Sequence, residues 1–137
     1  MAGNMPDGNE TALLNYYLRT TDSGTFTQAP SLWMGLCTAT PTDSATNEVP
    51  VASNYNRIQV TWNAATTGAA PGPNATATFP SASGSWGTLI NGYIICSAST
   101  GSSGLLYMAY GTVSPSVAVT TNDIVSFAAN ACTISLD

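Results

Sequence analysis

Few residues of this 137-residue chain have side chains that commonly do chemistry. It has no histidine and no lysine, and its only cationic side chains belong to Arg19 and Arg57. Histidine is the usual general base near neutral pH and the commonest metal ligand, and lysine forms Schiff bases and phosphate contacts. Their absence excludes most acid–base, covalent and nucleic-acid chemistry. We therefore predict no catalytic residue and no enzyme.

Carboxylates are the next candidates, because a pair of them can act as acid and base in glycoside hydrolysis. The seven acidic side chains are dispersed, and no two share a strand or helical face beside apolar residues. Asp7 and Glu10 have the spacing of a helix capping box, while Asp43 and Asp123 lie in turns. The calcium-loop pattern is absent, and only three scattered thiols are available for zinc. We predict no metal and no cofactor.

The three thiols belong to Cys37, Cys96 and Cys132, an odd number without a Cys-x-x-Cys spacing. A cysteine nucleophile needs a basic partner, which this chain lacks. We interpret the cysteines as small buried hydrophobic residues of a reducing compartment. One disulfide with one free thiol is the alternative.

The composition indicates a surface made for contact rather than for charge recognition. Charged residues make up 7% of the chain, against about 25% in a typical domain. Twenty threonines and fifteen serines supply the polarity, and hydroxyls lose water more cheaply than charges. The net charge of −5 argues against nucleic-acid or polybasic membrane binding. No apolar run is long enough to span a membrane, and the first residues lack the features of a secretion signal.

The length predicts one domain, residues 1–137, and the start of the chain predicts its only helix. Residues 7–19 begin with the capping box and place Leu13, Leu14, Tyr17 and Leu18 on one face. We expect residues 1–22 to form an N-terminal helical segment. The helix either covers the core or docks on a neighbouring chain.

The rest of the chain predicts short strands separated by turns rich in Gly, Pro, Asn and Ser. Residues 57–63 alternate, which places Arg57 on the outer face, and Gly92 is typical of a bulge. This pattern predicts a mainly β fold, an antiparallel β-sandwich or jelly-roll-like domain with one N-terminal α-helix. The predicted strands cover residues 32–38, 57–63, 75–79, 89–96, 105–110, 124–128 and 133–136, with a short edge strand at 117–119.

Three tryptophans raise the question of a binding surface. Trp33 and Trp62 lie in alternating strands and are expected in the core. Trp86 lies in a loop, where it either fills the core or anchors a partner. As partner-interface residues we predict Leu13, Tyr16, Tyr17 and Trp86.

The order of these segments resembles a family of small tailed-phage virion proteins, labelled tail fibre protein or virion decoration protein. An amphipathic opening segment precedes residues 32–42, which look like the family's strand and turn of the type LYVGL-TA-PT. Tyr55-Asn56-Arg57 resembles its Y-x-R element, and residues 79–88 resemble its FP-x-A…WGT element. Residues 106–111 and the closing 133–137 complete a match over nearly the whole chain. The chain departs from the pattern at Asn122-Asp123, where a Gly-Asp turn is expected, and in the more apolar strand 89–96.

This resemblance implies a non-enzymatic structural protein of a tailed-phage virion, assembled in the host cytoplasm. We expect a capsid decoration (cement) protein on the outer shell, because a surface with few charges can be buried without stranding them. The alternatives are a tail-fibre or tail-tip subunit and a host-glycan-binding module. The expected partners are the major capsid protein or other virion proteins and further copies of the chain, with no nucleic acid and no membrane.

Overall fold

The computed structural model describes residues 2–4, 31–43, 45–64, 69–70, 72–87, 89–101 and 107–135. Within these ranges the chain forms nine β-strands and no helix. The strands are β1 (Ala2–Asn4), β2 (Leu32–Cys37), β3 (Ile58–Val60), β4 (Ala69–Ala70), β5 (Ala77–Thr78), β6 (Ile90–Cys96), β7 (Tyr107–Val117), β8 (Ser126–Phe127) and β9 (Thr133–Ser135).

Seven of these strands form one sheet in the order β3-β2-β6-β7-β1-β9-β4. Every neighbouring pair is antiparallel except β1 and β9, which are parallel. β5 and β8 form a separate antiparallel pair of two residues each. The prediction of a mainly β, antiparallel fold is confirmed. A sandwich is not confirmed, because the second sheet consists of two very short strands.

The small sheet continues the same pair of chain segments that forms β6 and β7. Beyond the Ile90–Val117 pair, the two segments stay side by side as residues 79–87 and 118–125, which we call the ribbon bend. Amide groups of Phe79, Ala82 and Trp86 donate to carbonyls in the other segment at 2.9, 2.9 and 3.3 Å. The segments then pair again as β5 and β8. A single long ribbon therefore contributes two central strands of the large sheet and all of the small one.

The main core lies where this ribbon turns over one face of the large sheet. Alternation directs Met34 and Leu36 of β2 and Tyr93 of β6 toward that face, and all three are fully buried. Phe127 of β8 packs on Tyr93 with ring centroids 6.0 Å apart. Tyr55, Phe79 and Trp86 complete an aromatic cluster whose neighbouring ring centroids are 5.4 to 6.4 Å apart.

The opposite face of β2 and β6 is also covered, as the two-sided apolar pattern of residues 32–38 indicates for a central strand. Cys37, Ile94 and Cys96 are buried there, outside the main core. Two glycines allow the covering segment to approach: an added Cβ at Gly92 would clash with the ring of Pro41, and one at Gly35 would lie 2.6 Å from Glu48. Pro41 and Glu48 therefore help to cover this face.

The strand predictions are confirmed in position for β2, β3, β5, β6, β7, β8 and β9, and the register shifts beside Gly92 as predicted. The short edge strand predicted at 117–119 is wrong, because Val117 is the last residue of β7. Two strands were missed, β1 and β4. The predicted helix 7–19 lies outside the described residues. Residues 2–4 are strand β1, and the described part of the chain gives no support to the predicted N-terminal helical segment 1–22.

Candidate functional site

The buried ion pair of Arg57 and Glu48 is the strongest electrostatic feature in the part of the chain that the structure describes. Arg57 directly precedes β3, and Glu48 forms a bridge to Cys37 at the end of β2. The guanidinium donates from Nε to Oε1 of Glu48 at 2.7 Å and from Nη2 to Oε2 at 2.6 Å. This two-pronged geometry is the strongest that arginine and a carboxylate form.

Arg57 also holds the loop that follows β6. Its Nη1 donates to the carbonyl of Ala98 at 2.9 Å, and its Nη2 donates to that of Gly101 at 3.0 Å. Hydrogen bonds to Glu48 are the main reason why the pKa of Arg57 is raised. The side chain is only 6% exposed, so its donors serve the fold and leave little for a ligand. Arg57 is buried and not exposed as its predicted outward position implied, because Glu48 and the loop after β6 cover its side chain.

Tyr55 connects this ion pair to the sheet. Its hydroxyl donates to Oε1 of Glu48 at 2.9 Å and accepts the amide of Leu36 at 2.8 Å. That amide lies between the stretch of β2 that pairs with β3 and the stretch that bridges to Glu48. Burial raises the pKa of Tyr55, with Glu48 adding to the rise. The hydroxyl therefore stays protonated and acts as a structural link.

The cysteines are buried and none forms a disulfide, which confirms the interpretation of small hydrophobic residues. Burial raises the pKa of Cys37 and of Cys96, and it raises that of Cys132 to about 11. A thiol with so high a pKa carries almost no thiolate near pH 7. These cysteines therefore have the properties of packing residues.

Asp43 and Asp123 lie in turns, as predicted. Asp43 accepts the hydroxyl of Tyr110 at 2.8 Å. Asp123 accepts the amide and the hydroxyl of Thr120 at 2.8 and 2.9 Å, and these bonds lower the pKa of Asp123. Across the described ranges, no group of three or more potential metal ligands was found. Asp123 is therefore explained by local hydrogen bonds, and Asp43 by a contact with the distant Tyr110.

The three tryptophans occupy different places. Trp86 is 2% exposed, and its Nε1 donates to the carbonyl of Ser53 at 2.9 Å, so it has the core-filling role. Trp62 is half-buried against the main core, whereas Trp33 lies on the opposite face of the sheet from Met34. Trp33 and Trp62 are thus on different faces and cannot form one sugar-stacking platform.

Among the described residues, large hydrophobic side chains are exposed mainly at and around the ribbon bend. Val51 is 72% exposed, Ile124 60%, Leu89 42% and Val117 41%. Ile124 lies in the bend, and Leu89 and Val117 lie beside it where β6 and β7 end. Val51 belongs to a loop tied to the bend, because the carbonyl of Ser53 accepts the amide of Ser83 at 3.0 Å.

A pocket of about 370 Å³ opens between this loop and the bend. Its described lining is uncharged and includes Pro50 and Ala52 on one side and Ser85, Trp86 and Gly87 on the other. A second pocket of about 270 Å³ lies beyond Val49 and Pro50 and includes Val51 and Arg57. Val51 therefore lines the second pocket, while its neighbours Pro50 and Ala52 line the uncharged one. We call Val51, Ile124 and the uncharged pocket the bend surface.

The bend surface is the candidate functional site. Of the predicted interface residues, Trp86 lines the pocket from within the core, while Leu13, Tyr16 and Tyr17 lie outside the described residues. The sequence analysis did not single out Val51 or Ile124 as interface residues: Ile124 lies in the predicted strand 124–128, and Val51 follows Val49 and Pro50 in a segment without a predicted strand. One feature of the sequence could have indicated this surface: residues 49–54 and 79–89 contain no charged side chain.

Comparison with known proteins gives one family. The family described as Podophage GP4 fiber I protein gp80 matches residues 4–135. No curated protein matches the chain significantly. In the described part of the chain, no helix has the length and apolar character needed to cross a membrane.

Proposed function

Because the chain belongs to the family of the podophage GP4 fiber I protein gp80, a family of tailed-phage virion proteins, we propose that it is a structural subunit of a tail fibre. The family match carries this proposal, since it covers nearly the whole chain and its description names a fibre protein. It favours the tail-fibre alternative over the capsid decoration role that we expected from the sequence. We propose other virion proteins and further copies of the chain as partners.

The bend surface supports a role in assembly. Val51 and Ile124 are largely exposed, and the pocket beside Val51 has no charged lining among its described residues. The buried centres of protein interfaces are depleted in charged residues. Apolar side chains, and hydroxyls that keep a hydrogen-bond partner, lose their water at low cost. The other conspicuous group, Arg57 with Glu48, is used inside the protein. A subunit with these features binds by shape and apolar contact.

Labelled particles test the location directly. Phage particles are treated with a gold-conjugated antibody against the chain and imaged by electron microscopy, and the copies per particle are counted by quantitative mass spectrometry. We expect label at the tail and a low copy number. Label distributed over the head with hundreds of copies would refute the fibre role and support capsid decoration.

Particles that lack the protein provide the second measurement. A nonsense mutation in its gene should give particles with intact, filled heads and missing tail appendages. Particles with complete tails and fragile heads would contradict the proposal. A matched nonsense mutation in an unrelated virion gene controls for general assembly failure.

A further inference from the structure

We propose that the second pocket, which we call the ion-pair pocket, binds one ring of a neutral carbohydrate. Its floor contains the Glu48–Arg57 pair, its apolar wall includes Val51, and its polar rim consists of Asn56 and the loop after β6. The inference goes beyond the proposed fibre role, because it concerns a ligand of the chain and not the place of the chain in the particle.

The floor of the ion-pair pocket is electrically neutral but keeps one accepting position. Among the described residues, Oε1 of Glu48 accepts bonds from Tyr55 and from Nε of Arg57, whereas Oε2 accepts one bond, from Nη2 of Arg57. Each carboxylate oxygen can accept two bonds, and the Glu48 side chain is 17% exposed. A charged ligand would meet a pair that is already neutralised, and it would lose its water without compensation. The floor therefore favours a neutral hydrogen-bond donor.

The rim supplies neutral side chains that both donate and accept hydrogen bonds. Asn56, Ser99 and Thr100 line the pocket and are exposed, and none of them has a hydrogen-bond partner among the described residues. An amide and two hydroxyls match a ligand whose own groups also donate and accept, as the hydroxyls of a sugar do. A few polar groups that converge in this way fix the orientation of a ligand in its pocket.

The apolar wall and the volume of the pocket fit a single sugar ring. Val49, Pro50 and Val51 form the wall, and Val51 is 72% exposed. A sugar ring has C–H groups on its faces and hydroxyls at its edge, so it contacts an apolar wall and a polar rim at the same time. The volume of about 270 Å³ lies just below the range of about 300–1,000 Å³ that is typical of small-molecule sites.

The ion pair prepares the pocket before a ligand arrives. Arg57 donates to the carbonyls of Ala98 and Gly101, and the loop between these two residues carries Ser99 and Thr100. Holding a loop in its bound conformation lowers the entropy cost of binding. Arg57 is therefore a positioning residue, and the hydroxyls of the loop that it holds contact the ligand.

The accessible lining favours a carbohydrate over a peptide. Contacts with peptides and proteins take most of their energy from Trp, Tyr and Arg side chains. In the ion-pair pocket the residues of these types, Tyr55 and Arg57, are buried and bonded within the fold. The exposed side chains of the pocket are hydroxyl, amide and aliphatic. A sugar uses all three kinds.

Binding is tested with the purified full-length chain. The probes are a glycan array with neutral and acidic members, and the methyl glycosides of glucose, galactose, mannose and rhamnose followed by saturation-transfer NMR. We expect neutral glycans to bind and acidic glycans to bind more weakly. The strongest neutral glycan is then titrated to obtain a dissociation constant.

Variants of the rim test the site. Ser99→Ala/Thr100→Val removes two exposed hydroxyls and keeps the ion pair, and we expect it to raise the dissociation constant about tenfold or more because two hydrogen bonds to the ligand are lost. Thr78→Val/Ser126→Ala is the matched control. It removes the same two kinds of hydroxyl from an exposed cross-strand pair of the small sheet, and neither residue lines the pocket. The control should bind like the unchanged chain, and urea unfolding establishes that both variants keep the fold.

Three results would overturn the inference: no neutral glycan or glycoside binds, binding is confined to acidic glycans, or the rim variant binds as well as the control. A peptide array that binds at this pocket when the glycans do not would identify a peptide site instead. These outcomes are distinct from those for the fibre role. Sugar binding by a chain that is found on heads would keep this inference and refute the fibre role, whereas tail label without sugar binding would do the reverse.

Discussion

Removal of the Arg57 guanidinium is expected to destabilise the protein strongly. Arg57→Met deletes two bonds to Glu48, at 2.7 and 2.6 Å, and two to backbone carbonyls, at 2.9 and 3.0 Å. It leaves the Glu48 carboxylate, whose side chain is 17% exposed, with the hydroxyl of Tyr55 as a hydrogen-bond donor. Breaking a buried pair by removing one partner costs about 3–5 kcal/mol. Because Glu48 keeps some contact with water, we expect Arg57→Met to lower the free energy of unfolding by about 3 kcal/mol, the lower end of this range.

A double-mutant cycle separates the charge from the packing. Glu48→Gln/Arg57→Met leaves no unpaired charge, and the introduced glutamine keeps an acceptor for Tyr55. We therefore expect the double variant to be more stable than the sum of the two single changes implies, by about 1–3 kcal/mol. Arg57→Lys should restore only part of the stability, because an ammonium group cannot form the two-pronged bond.

Urea unfolding followed by tryptophan fluorescence measures these differences. Total stabilities of small domains are about 5–15 kcal/mol, so a loss of about 3 kcal/mol shifts the midpoint clearly. Asp43→Asn is the control, because it changes an exposed carboxylate, and surface substitutions usually change stability by less than about 0.5 kcal/mol. The reasoning is refuted if Arg57→Met costs less than about 1 kcal/mol, or if the single effects are additive.

Three further predictions concern Tyr93, the three cysteines and Asp123. Tyr93→Phe should leave the free energy of unfolding unchanged or raise it. The buried Tyr93 hydroxyl has no hydrogen-bond partner of ordinary geometry among the described residues, and the neighbouring thiol of Cys132 is a weak partner. A loss above about 1 kcal/mol in urea unfolding would contradict this prediction. The cysteines should resist a thiol reagent at pH 8 in the native protein and react fully in urea, since all are buried and their pKa values are raised; rapid labelling of the native chain would show that they are accessible. The pKa of Asp123 is lowered in the folded protein, so its bonds to Thr120 stabilise the fold at pH values above the ordinary pKa of 3.8, and this stabilisation is lost as the pH falls through the folded pKa. Asp123→Asn should therefore reduce the loss of stability at acid pH. An unchanged loss of stability at acid pH would rule out this contribution.

The sequence predicted the parts of the fold that depend on alternation of large side chains. Met34 and Leu36 point to one face of β2 and Cys37 to the other. The sequence of residues 32–38 shows this directly, because apolar side chains alternate between the two faces. β1 and β4 could not be found in this way. They consist of Ala, Gly and Asn, which have low strand propensity, and only the backbone partners offered by β7 and β9 make them strands.

The candidate site was less predictable because its key residues are defined by distant contacts. Arg57 fits a period-two pattern with Gln59 and Thr61, and nothing local shows that Glu48 reaches it from nine residues earlier. The sequence left two roles for Trp86, in the core or at an interface, and its ring contacts with Phe79 and Tyr55 show that it lies in the core. Val51 could not be recognised as part of a site, because the uncharged pocket near it is built from three separate segments of the chain.

The scarcity of charge in this chain has a spatial consequence. Of the charged side chains described, Glu48 and Arg57 neutralise each other, and Asp43 and Asp123 are bonded to Tyr110 and Thr120. The fold thus uses each of these charges for its own hydrogen bonds. Because the described charges near the bend surface are few, encounter with a partner gains little from electrostatic steering, and specificity has to come from close fit. Close fit tolerates few partners, which is why a surface with so few charges is better suited to permanent assembly than to reversible recognition of varied ligands.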